Sequence, residues 1–234
     1  MLHKAAKDHL IVALDTSDRN YALRLCDMLA QNIAMAKIGL EAFIHFGMPF
    51  VHDVRKTGVD IFLDLKLHDI PRTARAAAQG LAELDIKLLT VHALGGPEMI
   101  EEVRTVLPLK TKLIAVTLLT SLDESTVNTL GFSQNVSETT AKLAHLALTH
   151  GADGVVSSGH ELAHLKSLGG LRVVPGVRLN EESHGDQRRV MTPQQAVLEG
   201  ADYIVVGRPI VAAANPLQAT KNILDALTHA ESFP

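Results

Sequence analysis

Eight short apolar runs recur along the 234 residues, separated by stretches patterned as helices. The runs are 9–15, 34–40, 59–66, 87–94, 112–120, 154–158, 171–177 and 203–206. Strands alternating with helices imply parallel neighbours, because each crossover must carry the chain back along the sheet. Most runs are almost continuously apolar, which implies burial on both faces. Eight such units in this length predict a closed (β/α)8 barrel, the TIM-barrel architecture, for which about 250 residues is typical. An open doubly wound sheet is the competing architecture, but no G-x-G-x-x-G follows the first run. No linker, charge block or low-complexity segment divides the chain, so a single domain is expected over residues 1–234.

The helical patterns place the remaining elements. Tyr21, Leu25 and Leu29 form one stripe within 17–31. Further helices are predicted over 41–56, 71–84, 136–150, 159–168 and 192–199, with another opened by Gly95-Gly96-Pro97 and a terminal one reaching about His229. Pro71 stands where proline is welcome, at the first position of a helix.

In a barrel of this kind the chemistry sits at the C-terminal strand ends. The third run ends in Asp64-Leu65-Lys66-Leu67-His68-Asp69-Ile70-Pro71. Alternate residues of a strand share a face, so Asp64 and Lys66 are expected on the row that also holds Phe62, roughly 6–7 Å apart. Asp69 falls beyond the strand, in the turn. A solvated salt-bridge cluster uses the same residue types, but this one lies on a core-facing row at a strand end. Asp15, Lys37 (with Met35 and Gly39 on its face) and Thr120 belong to the other ends.

The last two strand ends have the chemistry of a phosphate site. Phosphate commonly binds after strands seven and eight of such barrels, near a short extra helix. Here those ends carry Pro175-Gly176-Val177-Arg178 and Gly207-Arg208-Pro209. Glycine lets backbone approach an anion, and arginine can fork onto its oxygens. The polar stretch 179–189, with Gln187, is long enough to close over a ligand.

His160-Glu161-Leu162-Ala163-His164 matches the H-E-x-x-H pattern of zinc peptidases. It belongs to the outer ring of helices, Ser167 replaces the glycine of the longer motif, and no third ligand follows, so no metal site is expected. The net charge of −4 offers no electrostatic footprint for nucleic acid. No run of eighteen apolar residues suggests a membrane span. The single cysteine, Cys26, sits in a helical apolar pattern and reads as a core residue, which fits a cytoplasmic setting.

The stretch Asp64 to Thr73 resembles the signature of the orotidine 5′-monophosphate decarboxylase family. Asp15, Lys37, Leu118-Leu119-Thr120-Ser121, Pro175 to Arg178 with Gln187, and Val206 to Pro209 match as well. Arg72 departs from the asparagine or threonine often found there. The resemblance covers nearly the whole chain and implies cofactor-free conversion of orotidine monophosphate to uridine monophosphate in pyrimidine biosynthesis. It also implies a homodimer of barrels with shared sites. By motif, Lys66 would donate the proton within a network of Lys37, Asp64, Lys66 and Asp69 of the partner subunit. Asp15 and Lys37 would hold the ribose, joined by Thr73 of the partner. Thr120 and Ser121 would approach the pyrimidine, and Arg178, Gln187, Gly207 and Arg208 the phosphate. Asp64, Ile70 and Pro175 complete the implied substrate contacts. A magnesium-using sister group of sugar-phosphate lyases and decarboxylases shares the Asp-x-Lys-x-x-Asp strand end. It carries glutamate where Lys37 stands, so Lys37 favours the metal-free reaction.

Overall fold

The computed structural model describes residues 5–179 and 191–230. Its strands are β1 Leu10–Ala13, β2 Met35–Gly39, β3 Asp60–Leu67, β4 Leu88–His92, β5 Lys112–Val116, β6 Gly154–Val156, β7 Leu171–Pro175 and β8 Tyr203–Val206. Each pairs in parallel with the next, and β1 also pairs with β8 (Leu10 opposite Ile204), so the sheet closes into the barrel that the alternation predicts.

Two apolar layers explain why the strands are apolar throughout. Ile11, Ala13, Met35, Phe62, Leu88, Ile114, Val173 and Val205 pack inside the barrel. The intervening residues, among them Leu10, Val12, Ile38, Leu63 and Leu89, pack outward against the helices. Alternate residues therefore serve different cores, and neither face of the sheet meets water.

Local chemistry sets the helix starts. The Asp18 carboxylate accepts from the Tyr21 N–H at 2.9 Å and caps the helix Arg19–Leu29. Pro71 opens Pro71–Leu81. Thr192 and Gln195 form a reciprocal capping box ahead of Pro193–Leu198.

Six of the eight strands are shorter than their apolar runs, β3 and β8 being the exceptions. Residues 6–9 form a helical turn before β1, and β5 stops at Val116, so Thr120 lies in the following loop rather than at the strand end. That connection also contains a short helix, Glu124–Thr129, capped by Asp123, which the polar composition conceals. The H-E-x-x-H stretch splits into a 3-10 turn, Gly159–Glu161, and a single α-turn, Leu162–Leu165, with Glu161 buried and both histidines exposed. No group of three or more potential ligands among His, Cys, Asp and Glu is assembled among the described residues. Among them, too, no helix is long and apolar enough to cross a membrane.

Charges at the two barrel rims behave differently. At the N-terminal rim, Asp153 accepts from the Leu113 N–H at 2.9 Å, from Arg104 at 3.0 Å and from Lys112 at 2.9 Å. Asp202 likewise accepts from the Arg172 N–H at 2.7 Å. These carboxylates tie adjacent strands together. At the C-terminal rim, Asp15, Lys37, Asp64 and Lys66 instead line a cavity.

Candidate active site

The barrel ends bring together Asp15, Lys37, Asp64, Lys66, Thr120, Pro175, Gly176, Arg178, Gly207 and Arg208 around one cavity of about 250 Å³. Ala13, Phe62, Val156, Val173 and Val205 give it an apolar floor. A mostly apolar pocket with a few convergent polar groups is the usual form of a small-molecule site.

Asp64 is the centre of the charged wall. It ends the regular part of β3, where Gly39 of β2 is its register partner. Its Oδ2 lies 2.8 Å from Lys66 Nζ and 3.6 Å from Lys37 Nζ. Lys37 also reaches Asp15 Oδ1 at 3.3 Å. The charges thus alternate, Asp15, Lys37, Asp64, Lys66, from the mouth inward and along the wall. Gly39 makes this possible, because a Cβ there would stand 2.9 Å from Lys37 Nζ and 3.4 Å from Asp15 Oδ1. The other oxygen of Asp64, Oδ1, accepts from the buried Thr90 hydroxyl at 3.0 Å.

Burial pushes the Asp64 carboxyl pKa up. The charges of Lys37 and Lys66, with hydrogen bonds from Lys66 and Thr90, outweigh burial and hold it below the ordinary carboxylate range. Asp64 is therefore ionised at neutral pH despite being only 7% exposed. Close by, His68 and His92 stack with their rings 5.2 Å apart. Burial, then electrostatic repulsion from His68 and Lys66, push His92 down to about 4. His92 is neutral at pH 7, and its Nδ1 accepts from the Leu94 N–H.

The strand reading of Asp64 and Lys66 needs one correction. Both side chains do reach the face of Phe62, but not by regular alternation. Lys66 has φ +50°, and the β3–β4 register shifts between Leu63 and Leu67. A bulge, rather than a pleat, brings the ammonium back onto its carboxylate. Thr90 was not singled out from sequence. The available signal was a lone hydroxyl in the apolar strand Leu88–His92, since a buried polar group must find a partner.

The ends of β7 and β8 meet at this same cavity. Gly176 has φ +77°, and Gly207 precedes the short helix Arg208–Val211. Gln187 lies outside the described residues. Ser121 is exposed and not part of the cavity lining, whereas its neighbour Thr120 is. Asp69, Ile70 and Thr73 also stay out of their own chain's cavity. Asp69 and Ile70 are exposed and line a separate shallow depression with His68, Pro71, Leu94 and Gly95. Asp69 uses one oxygen to accept from the Ile70 N–H at 2.7 Å.

Comparison with known proteins decides the family. The sequence profile of the "Orotidine 5'-phosphate decarboxylase / HUMPS family" matches residues 8–223. The chain belongs to this family. An orotidine 5′-phosphate decarboxylase of Psychromonas ingrahamii is 44% identical over 225 residues, covering 93% of this chain and 96% of the relative. One from Legionella pneumophila is 43% identical over 222 residues, 92% of this chain and 97% of the relative. The crystal structure of the Lactobacillus acidophilus orotidine 5′-phosphate decarboxylase superposes with a TM-score of 0.79 at 34% identity, covering 93% of this chain and 98% of that one.

The ionised Asp64 generates a pH prediction. Its folded pKa lies below its unfolded one, so its contribution to stability is present above the ordinary carboxylate range. That contribution is lost as pH falls through the folded value. Asp64→Asn leaves Lys37 and Lys66 without their shared counter-ion and is expected to cost about 2–3 kcal/mol at pH 7. The gap from wild type should narrow as the medium is acidified below the ordinary carboxylate range. Urea unfolding of both proteins across pH checks this; a gap independent of pH would contradict it.

Proposed function

We propose that this protein decarboxylates orotidine 5′-monophosphate to uridine 5′-monophosphate in pyrimidine biosynthesis, without metal or organic cofactor, as a cytoplasmic homodimer. The observation that carries the reading is the convergence of Lys37 and Lys66 on Asp64 Oδ2 at the wall of a cavity that Arg178 and Arg208 also line.

The chemistry asks for this arrangement. Loss of carbon dioxide from C6 of the pyrimidine leaves an electron pair that the ring does not readily delocalise. A fixed cation beside C6 stabilises the developing charge more than it stabilises the substrate. The Lys66 ammonium supplies that charge and then the proton: its N–H bond breaks, the C6–H bond forms, and the amine regains a proton from solvent after release. Arg178, Gly207 and Arg208, with Gln187, hold the phosphate, and their binding energy orients the reacting carboxylate. Asp15 and Lys37 take the ribose hydroxyls, while Thr120 and Ser121 meet the base. Pro175 completes the wall. The Lys37 ammonium at 3.6 Å from Asp64 occupies the place where the sister group's carboxylates would gather a cation. Turnover of orotidine monophosphate, followed by loss of the orotate absorbance band, should persist in excess chelator. Activity lost in chelator and restored by magnesium would favour the sister group, and no turnover at all would refute the reading.

Asp69, Ile70 and Thr73 act in the partner's site. Their exclusion from their own cavity supports this, as does the apolar exposure around them. Ile70 is 63% exposed, and Leu40, Ile44 and Met48 on the helix Leu40–Lys56, Leu94 in the turn after β4 and Leu119 in the loop after β5 are exposed too. A self-complementary two-fold contact would bury such a face and set Asp69 of the partner subunit beside Lys66. Lys66→Ala and Asp69→Asn homodimers should each be nearly inactive. A mixed dimer collects both lesions in one site and leaves the other intact. Co-refolding equal amounts makes about half the dimers mixed, so roughly a quarter of all sites should recover. Mixed dimers verified by tag pull-down that stay as inactive as their parents would place Asp69 in its own chain's chemistry.

A further inference from the structure

We infer that Thr90 is a positioning residue for the decarboxylation, one hydroxyl fixing both the Asp64 carboxylate and the backbone of Lys66. The inference rests on the decarboxylase reading above and goes beyond it.

The register of β3 and β4 shows what Thr90 has to do. Leu63 pairs with Leu89 and Leu67 pairs with Val91. Between those two pairs β3 carries three residues, Asp64, Leu65 and Lys66, where β4 carries only Thr90. The surplus on β3 interrupts the ladder, and a bulge leaves backbone groups in need of other partners. Within it, Lys66 takes φ +50°, a left-handed conformation in which an L side chain is strained. Such a conformation persists only where its surroundings hold it.

Thr90 supplies that hold. Its Oγ1 accepts from the Lys66 N–H at 2.8 Å and donates to Asp64 Oδ1 at 3.0 Å. The residue is fully buried, so water cannot take over either role. A hydroxyl has one proton to donate and lone pairs to accept with, and both functions are engaged here. The same atom therefore sets the start and the end of the bulge. With Asp64 fixed through Oδ1, its Oδ2 is presented to both ammoniums, and with the Lys66 backbone fixed, the Lys66 side chain departs toward that oxygen. Thr90 is absent from the cavity lining, so it acts on the reaction only through these two residues.

The test compares Thr90→Val, which keeps the shape and removes the hydroxyl, with Thr90→Ser, which keeps the hydroxyl. Thr90→Ala, with no branched side chain to accommodate, is measured in parallel. Rates are expressed per site competent to bind uridine 5′-monophosphate, so partial unfolding does not enter. Thr90→Val and Thr90→Ala are expected to lower kcat by about tenfold to a hundredfold, the effect of leaving two buried partners unpaired. Product affinity should stay near wild type, because the phosphate grip lies on β7 and β8. Thr90→Ser should recover most of the rate. Full kcat in the valine variant, a serine variant as poor as valine, or a loss of affinity that matches the loss of rate would each overturn the inference. A wild-type protein that does not turn over orotidine monophosphate at all would instead overturn the decarboxylase reading.

Discussion

The site depends on how one buried carboxylate is shared. Asp64 gives one oxygen to two ammoniums and the other to a hydroxyl. Removing this ion from water is costly, and only several simultaneous partners offset that cost. Those partners come from three consecutive strands: Lys37 on β2, Lys66 on β3 and Thr90 on β4. Their spacing is set by the β2–β3 ladder as far as Asp64 and beyond it by the bulge that Thr90 ties down, so the charges are anchored to the barrel backbone. Rigidity matters because dipoles and charges stabilise a transition state most when they need not reorganise to do so.

The barrel divides its labour between the rims. Carboxylates at the N-terminal rim, such as Asp153, satisfy backbone and side-chain donors and close the sheet. Asp15 and Asp64 at the C-terminal rim are turned toward the cavity, where Asp15 remains partly exposed. The apolar floor lies between the charged wall and the arginine side, so the place where charge would develop is bordered by low-polarity surface. Low-polarity surroundings strengthen the field of Lys66 there. The bulge at Lys66 is the local departure from regular geometry that delivers the ammonium, and it lies at the functional end of the strand, where strain is commonly found.

Much of this was legible in the chain. The eight apolar runs revealed the barrel because a sheet buried on both faces leaves no polar alternation to confuse the reading. Asp64, Lys66 and Lys37 stood out because charges rarely end a buried strand without purpose. The rest was hidden for physical reasons. The bulge depends on how β3 pairs with β4, which local pattern does not report. Thr90 is one ordinary β-former among apolar neighbours, and its importance lies in a partner 26 positions away. Gly39 matters for the space it leaves under the Lys37 ammonium, a property of three dimensions. β5 ends before its apolar run does, since Leu118 and Leu119 continue the run beyond the last ladder pair at Val116. Asp69, Ile70 and Thr73 lie outside the cavity of their own barrel, and the role proposed for them needs a second copy of the chain, which no pattern within one chain displays.

The central claim is that the Lys66 ammonium, held by Asp64, carries the chemistry while the distant arginines carry the binding. The most direct measurement is single-turnover decarboxylation of orotidine monophosphate by Lys66→Ala, beside its affinity for uridine monophosphate. The account predicts a rate lower by on the order of a thousandfold or more, the loss of a fixed charge and a proton donor, with product affinity largely kept. A Lys66→Ala protein that decarboxylates at close to the wild-type rate would contradict it.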